Sequence, residues 1–353
     1  MALASASMSF DMRKRGAPLD LTRTQILAFR RTAQALDERL PPGATSLRRA
    51  AWAGLQDSMP RAALLSIHAR VAGTRPDALD EPSLVQLWGP RYSTYVVASG
   101  DVAPFTLGRL PDSPRRRQRA EDTAARLHAF LDGREMTDGD AGRGLGVHPN
   151  SFRYAAPTGR VLIRWDGARA PTVRTVPPPE VNAQDARLEL ARRYLRVFGP
   201  ATADAFAQWA GIQGSEGMAA LDALGETLTA VRTPVGDAWI LAADELAFRA
   251  PTGPTAPARL LPSGDTFFLL QGLDRELLVP EADRRGLLWT SRVWPGALLV
   301  AGEIAGTWRR AQGLVTIDAW RRLSRGERDA VGAEASSLPL PGLNGPVVVR
   351  WGD

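Results

Sequence analysis

Chemistry in this chain has to come from a narrow set of side chains. Cysteine is absent, which removes thiolate catalysis, disulfides and cysteine-held zinc or iron–sulfur centres. His68, His128 and His148 are the three histidines, and their wide separation offers none of the short spacings by which imidazoles grip a metal. No metal and no cofactor is expected. Lys14 is the single lysine, and all the other members of the 44 basic residues are arginine. A guanidinium is always charged and its planar fork matches phosphate. The pairs Arg48-Arg49 and Arg309-Arg310, the run Arg115 to Arg117, and Arg91, Arg164, Arg169 and Arg174 are therefore candidate phosphate contacts. Solvated surface is the alternative for each. A net charge of +6 points the same way, toward an anionic partner such as nucleic acid. The abundance of Ala, Gly, Pro and Arg suggests a GC-rich coding bias, so part of this arginine carries no message about partners.

These arginines need elements to hold them, and the clearest lie between Asp185 and Ala242. Leu188, Ala191, Leu195 and Phe198 recur at steps of three and four on one helix face, and Gly199-Pro200 stops that helix. Thr202 is a good N-cap for a second helix with Phe206 and Trp209 turned inward. After the glycine-rich stretch Gly211 to Gly217, a third helix carries Met218, Leu221 and Leu224. Leu228, Ala230 and Ala238 to Leu241 then flank Pro234-Val235-Gly236-Asp237, a hairpin turn sequence. Helix, helix, helix, hairpin is the order of a winged helix, whose third helix can enter a major groove while the wing touches the flanking backbone.

The same order is expected near the N-terminus. Ile26, Phe29, Ala33, Leu36 and Leu40 mark a first helix after Asp20, and Leu47, Ala51 and Leu55 a second after Thr45-Ser46. A third starts near Pro60 and buries Leu64, Ile67 and Val71, and Leu84 to Leu87 pairs with Tyr92 to Ala98 as a wing. A further unit follows from a helix over Arg115 to Leu131 and a hairpin pairing Val161 to Trp165 with Thr172 to Val176 across Asp166-Gly167. Thr137 to Gly146 and Pro177-Pro178-Pro179 read as connections. From Arg259 onward the pattern changes to short strands, at Phe267 to Leu270, Ala297 to Val300, Leu314 to Ile317 and Val347 to Trp351. One helix interrupts them, opened by the capping box of Ser324 and Glu327.

The expected organisation is thus α+β. Residues 1–19 form a disordered leader, 20–112, 113–180 and 181–250 three tandem winged-helix units, and 251–353 a β-rich C-terminal part. The leader is basic at Met12 to Arg15 and lacks the apolar segment of a secretory signal. No apolar run approaches the about 20 residues that span a bilayer, so no membrane partner and a cytoplasmic protein are expected. Trp52, Trp88, Trp209 and Trp308 are expected in the core or scaffold, and His68, on a helix face, as a packed or groove-facing polar residue.

Four phrases carry more than pattern. They are Arg193-Tyr194-Leu195-Arg196-Val197-Phe198-Gly199-Pro200-Ala201-Thr202 with Phe206 and Trp209-Ala210-Gly211; Leu260-Leu261-Pro262-Ser263-Gly264-Asp265; Gly302-Glu303-Ile304-Ala305-Gly306-Thr307-Trp308-Arg309-Arg310; and Trp88-Gly89-Pro90-Arg91. Together, over Leu21 to roughly Arg322, the chain resembles the winged-helix DNA-binding family that includes the AlkZ and YcaQ glycosylases. The resemblance implies three winged helices around a concave, positively charged cleft for duplex DNA, with a Gln-x-Gln or Gln-x-Asp motif doing the chemistry in the first unit. The matching place here is Gly54-Leu55-Gln56-Asp57-Ser58, where Gln56 matches the first position and Ser58 replaces the second.

Hydrolysis of an N-glycosidic bond passes through an oxocarbenium-like sugar, so the site must hold a water near the anomeric carbon and stabilise positive charge there. A Gln or Asp oxygen can do both, whereas a Ser hydroxyl is short and neutral. Asp57 can serve if the turn presents it to the cleft; otherwise it is a helix-terminal cap. Ser58, just before Pro60, has the alternative role of capping the third helix. The catalytic candidates are therefore Gln56, Asp57 and Ser58. The partner implied is double-stranded DNA, damaged or deformed, bound by a monomer that is nucleoid-associated when on DNA. Excision of N-alkylated bases or unhooking of crosslinks would stop at an abasic site, since the single lysine sits in the leader. The alternative is a winged-helix protein without catalysis, acting in damage recognition or transcription regulation.

Overall fold

The computed structural model describes residues 18–269, 272, 274–343 and 345–352. The expected leader, with Lys14, lies outside the described residues except at its end, where Leu19–Asp20 forms a short strand parallel to Leu228–Thr233. The chain is mixed α+β, with three sheets among the described residues and helices distributed along them.

Thr22 opens the first helix, Arg23–Ala33, through a capping box with Gln25. That helix is shorter than the spacing of Leu36 and Leu40 predicts. Ala35 takes a left-handed φ of 53°, and the Leu36 amide donates back to the Arg31 carbonyl, so the helix closes there. Leu36 is still buried, outside the helix, and Leu40 bridges to Val71. The next helix, Ala44–Ala50, also ends early. Gly54 turns the chain at φ +75°, in a space where a Cβ would come within 2.6 Å of the Phe105 ring. Leu55–Gln56 consequently leaves as a strand paired with Val96 and Tyr95. The helix Ala62–Arg70 and the hairpin Leu84–Trp88 with Thr94–Ala98 complete the helix, helix, helix, hairpin order.

In the second unit, Pro114–Leu131 is one long helix. The Gly and Asp rich stretch expected as a connection is instead a strand, Met136–Thr137, and a helix, Asp138–Leu145. Thr137 caps it and Asp138 and Asp140 complement the dipole of its first turn. Its glycines permit close packing: a Cβ at Gly142 would lie 2.8 Å from the Val147 carbonyl. The hairpin Val161–Arg164 with Thr172–Thr175 joins the first wing through Gln86 opposite Ile163, giving one six-stranded sheet across both units.

The third unit follows its sequence pattern: helices Ala183–Phe198, Ala203–Ala210 and Gly214–Leu224, then the hairpin Leu228–Thr233 with Gly236–Leu241. The C-terminal part is a five-stranded sheet of Ala258–Leu261, Gly296–Val300, Glu303–Ala311, Leu314–Ala319 and Val348–Trp351, backed by the helix Arg325–Ser336. Two short helices, Asp274–Leu278 and Ala282–Leu288, stand beside it. Phe267 and Phe268, expected in a strand, are buried within a turn, and Leu270 lies outside the described residues.

One large core joins these parts. Leu190, Tyr194 and Phe198 from the third unit pack with Leu87 and Tyr95 from the first sheet and with Leu261 and Phe267 from the C-terminal part. Buried arginines hold the junctions. Arg30 donates to the carbonyls of Phe198, Gly199 and Pro200, Arg109 to those of Trp88 and Ala210, and Arg187 to those of Gly108 and Leu110. A buried guanidinium without such acceptors would be severely destabilising. These side chains are therefore committed to the scaffold, and the positive charge that can meet an anionic partner is smaller than the composition suggests.

Candidate active site

Gln56 sits at the end of its short strand, half-buried, with its carbonyl oxygen accepting a hydrogen bond from Arg91 Nη2 at 2.8 Å. Arg91 was expected to face phosphates. Its backbone is left-handed, φ 54°, as is that of Tyr92, and this turns the guanidinium inward onto Gln56. Arg91 Nη1 is buried and has no hydrogen-bond partner among the described residues. Behind it stands Gly211, the glycine that ends the helix Ala203–Ala210; a Cβ there would lie 3.0 Å from the Arg91 amide nitrogen. On another side is Gly264, φ +74°, where a Cβ would approach Gln56 Nε2 to 3.2 Å. Two of the four phrases singled out in the sequence thus meet Gln56 directly, Arg91 from Trp88 to Arg91 and Gly264 from Leu260 to Asp265, and a third, through Gly211, packs against the Arg91 backbone.

The turn bearing Gly264 is locked by a pairing that sequence reading missed, although Asp265 closes one of the four phrases. Asp265, 1% exposed, receives both Arg70 nitrogens at 2.7 and 2.9 Å and the Ser66 hydroxyl at 2.6 Å. Arg70 and Ser66 lie on the helix Ala62–Arg70 that follows the Gln56 segment. The signals in the sequence were a polar residue on a largely apolar helix face and the place of Asp265 in a singled-out phrase, and the two are distant in the chain.

Asp57 has different surroundings. Its amide continues the pairing with Thr94, one carboxylate oxygen accepts from the Ala63 amide at 3.0 Å, and the other accepts from Gln86 Nε2 at 2.7 Å. Asp57, not Ser58, therefore supplies the cap of the helix Ala62–Arg70. Burial pushes its carboxyl up to about 6, against the lowering by the Ala63 and Gln86 hydrogen bonds. Gln86 ties this group to the second wing, since it also donates to the Trp165 carbonyl at 3.1 Å and accepts from the Trp165 amide at 2.7 Å. Around Asp57 opens a cleft of about 270 Å³, whose wall includes Arg61, Gln86, Trp165, Arg164 and Arg174. Ser58 is exposed.

The other candidate arginines divide by place. Arg164 and Arg174 are exposed at the cleft, with Arg164 paired to Asp80 at 2.9 Å. Arg169 is exposed on the same hairpin. Arg48 is exposed and donates to Thr45 and Ser83, and Arg49 is exposed beside it. Arg309 is exposed and Arg310 half-buried on the strand Glu303–Ala311. Arg310 lies close enough to Arg61 to be lowered by it after burial; Arg61 was not singled out in the sequence. Trp88, Trp209 and Trp308 are buried, while Trp52 is half-buried beneath Arg193. His68 is buried, and burial together with Arg39 and Arg259 pulls it down to about 3, so it stays neutral. Among the described residues, no group of three or more His, Asp or Glu is arranged to hold a metal ion, and no helix is long and apolar enough to cross a membrane.

The family described as "DNA glycosylase AlkZ-like" matches residues 49–339. No curated protein matches the chain significantly in sequence. The fold is similar to that of the Streptomyces sahachiroi DNA glycosylase AlkZ, with a TM-score of 0.76 at 18% identity over 94% of this chain and 100% of that one. The matched region contains the Gln56 segment, the wing that brings Arg91 to it and the turn that brings Gly264. The chain belongs to the AlkZ-like DNA glycosylase family.

Proposed function

We propose that this protein, acting as a metal-independent monomer, hydrolyses the N-glycosidic bond of N-alkylated bases in damaged duplex DNA. The same cleavage unhooks a crosslink held through such a bond. The observation that carries this reading is that Arg91 and Gly264 both meet Gln56, with Gly211 packed against the Arg91 backbone. Arg91 can only donate, so its hydrogen bond fixes which end of the Gln56 amide is the oxygen. That oxygen has a second lone pair with which to hold a water beside the anomeric carbon, and its dipole favours the developing positive charge. A cationic N7-alkylated base leaves as a neutral molecule, so one carboxamide has little further work to do. Arg164, Arg169 and Arg174 on the second wing, Arg48 and Arg49 on the helix Ala44–Ala50, and Arg309 and Arg310 on the C-terminal sheet supply backbone contacts. On DNA the protein would be part of the nucleoid.

The test is base release from duplex DNA bearing N7-methylguanine in the presence of a chelator. Wild type should release the base and leave an abasic site without strand cleavage, and Gln56→Ala should be slower by about a hundredfold. A second reading has its own observation, the exposed Ser58 at the second motif position. Absence of release by wild type, with salt-sensitive duplex binding retained, would assign the chain to non-catalytic damage recognition.

A further inference from the structure

A second concave site shares no lining residue with the Asp57 cleft. It is a groove of about 870 Å³ along the helix Pro114–Leu131, which contributes Arg115, Arg116, Arg119 and Arg126 and one acid, Asp122, that accepts from Gln118; Tyr154, from the helix Ser151–Ala155, and Tyr92, from the first wing, also line it. Arg115, Arg116 and Arg119 are exposed, and their guanidinium groups have no partner among the described residues. Three of these cations crowd the opening turns of a helix whose first turn holds no acid, where the helix dipole disfavours positive charge. Helix stability does not account for them.

The aromatic residues narrow the chemistry. Tyr154 is 60% exposed, unusual for so large a ring. It meets Tyr92 edge-on, with centroids 4.9 Å apart at 61°, and Tyr92 is in turn covered by the Arg109 guanidinium at 4.9 Å. Tyr154 is thereby steadied while much of its surface faces solvent among free arginines. Phosphate-binding arginines beside an open aromatic ring suit a strand whose bases are unstacked, since a base inside a duplex has no free face to offer. The groove also begins next to the reacting centre, because Tyr92 follows Arg91 directly and Arg91 holds Gln56.

We propose that this groove binds a single-stranded DNA segment adjoining the damaged duplex, with an unpaired base against Tyr154 and phosphates on Arg115, Arg116 and Arg119. The proposal rests on DNA being the partner, and not on base release. The test uses the full chain and two fluorescent probes, an oligo-dT strand of about 12 nucleotides, within the range of single-strand sites, and a blunt duplex. Tyr154→Ala should weaken oligo-dT binding about tenfold and Tyr154→Phe should retain it, with duplex affinity unchanged in both. The double variant Arg116→Ala with Arg119→Ala should flatten the salt dependence of oligo-dT binding by about 1.4 in log–log slope. The proposal is overturned if Tyr154→Ala leaves oligo-dT binding intact, if oligo-dT and duplex lose affinity equally, or if polyglutamate displaces oligo-dT as well as unlabelled oligo-dT does. Base release by wild type is read in parallel: its failure would remove the glycosylase reading and leave the groove standing on its own binding data.

Discussion

Gln56 and Asp57 are neighbours that face different surroundings. The first meets Arg91 and Gly264, and the second meets Ala63 and Gln86. Extended backbone sends successive side chains to opposite faces, so Asp57 is poorly placed to stand in for a missing second motif residue two positions after Gln56. Ser58 occupies that position and is exposed. Ser58→Gln should therefore raise the rate of base release, with little change in stability; a rate unchanged or lowered would mean that a second carboxamide has no place here. Asp57 makes a separate statement about pH. Its carboxyl titrates near the ordinary carboxylate range when unfolded and at about 6 when folded, so the folded protein binds the extra proton between those values. Stability from this group is full below the lower value and is lost as pH rises through 6, by on the order of 3 kcal/mol. Asp57→Asn should flatten that fall in urea melts recorded between about pH 4 and 7; an unchanged slope would show that burial does not shift this carboxyl.

At the scale of elements, the site depends on turns more than on helices. Gly54 converts the end of one helix into the strand that carries Gln56, and the Asp265 turn brings Gly264 against it. Asp265 is held by Arg70 and Ser66 inside the protein. Asp265→Ala leaves the Arg70 guanidinium buried without its carboxylate, which should cost about 3–5 kcal/mol in denaturant unfolding. Where the variant remains folded, base release should also fall, because the turn beside Gln56 is no longer pinned. A melting temperature equal to wild type would contradict this account of the turn.

For the whole molecule, the arginines separate into two populations. Arg30, Arg109 and Arg187 are at most 2% exposed and bind backbone carbonyls between units. Arg164 and Arg174 are exposed around the Asp57 cleft. Alanine at either of the latter should lower the log–log salt slope of duplex binding by about 0.9 while leaving stability alone. A slope that stays at the wild-type value would place DNA on another face.

Much of this was legible in the chain alone. Helix faces, caps and hairpin turns are local, so the third unit, the Ser324 capping box and the helix over Arg115 to Leu131 follow from spacing and turn chemistry. The four phrases were enough to identify the relatives. The helix Asp138–Leu145 was hidden because glycine, read as a loop signal, serves there to let a helix pack closely. Tertiary structure alone decided that two wings form one sheet, that Arg91 turns inward, that Asp57 caps a helix, and that Asp265 and Arg70 meet 195 positions apart. The Asp57 cap is local, and the fold only chose between two readings of it; the others depend on partners found across the fold, and contacts between distant segments leave no periodic trace in sequence.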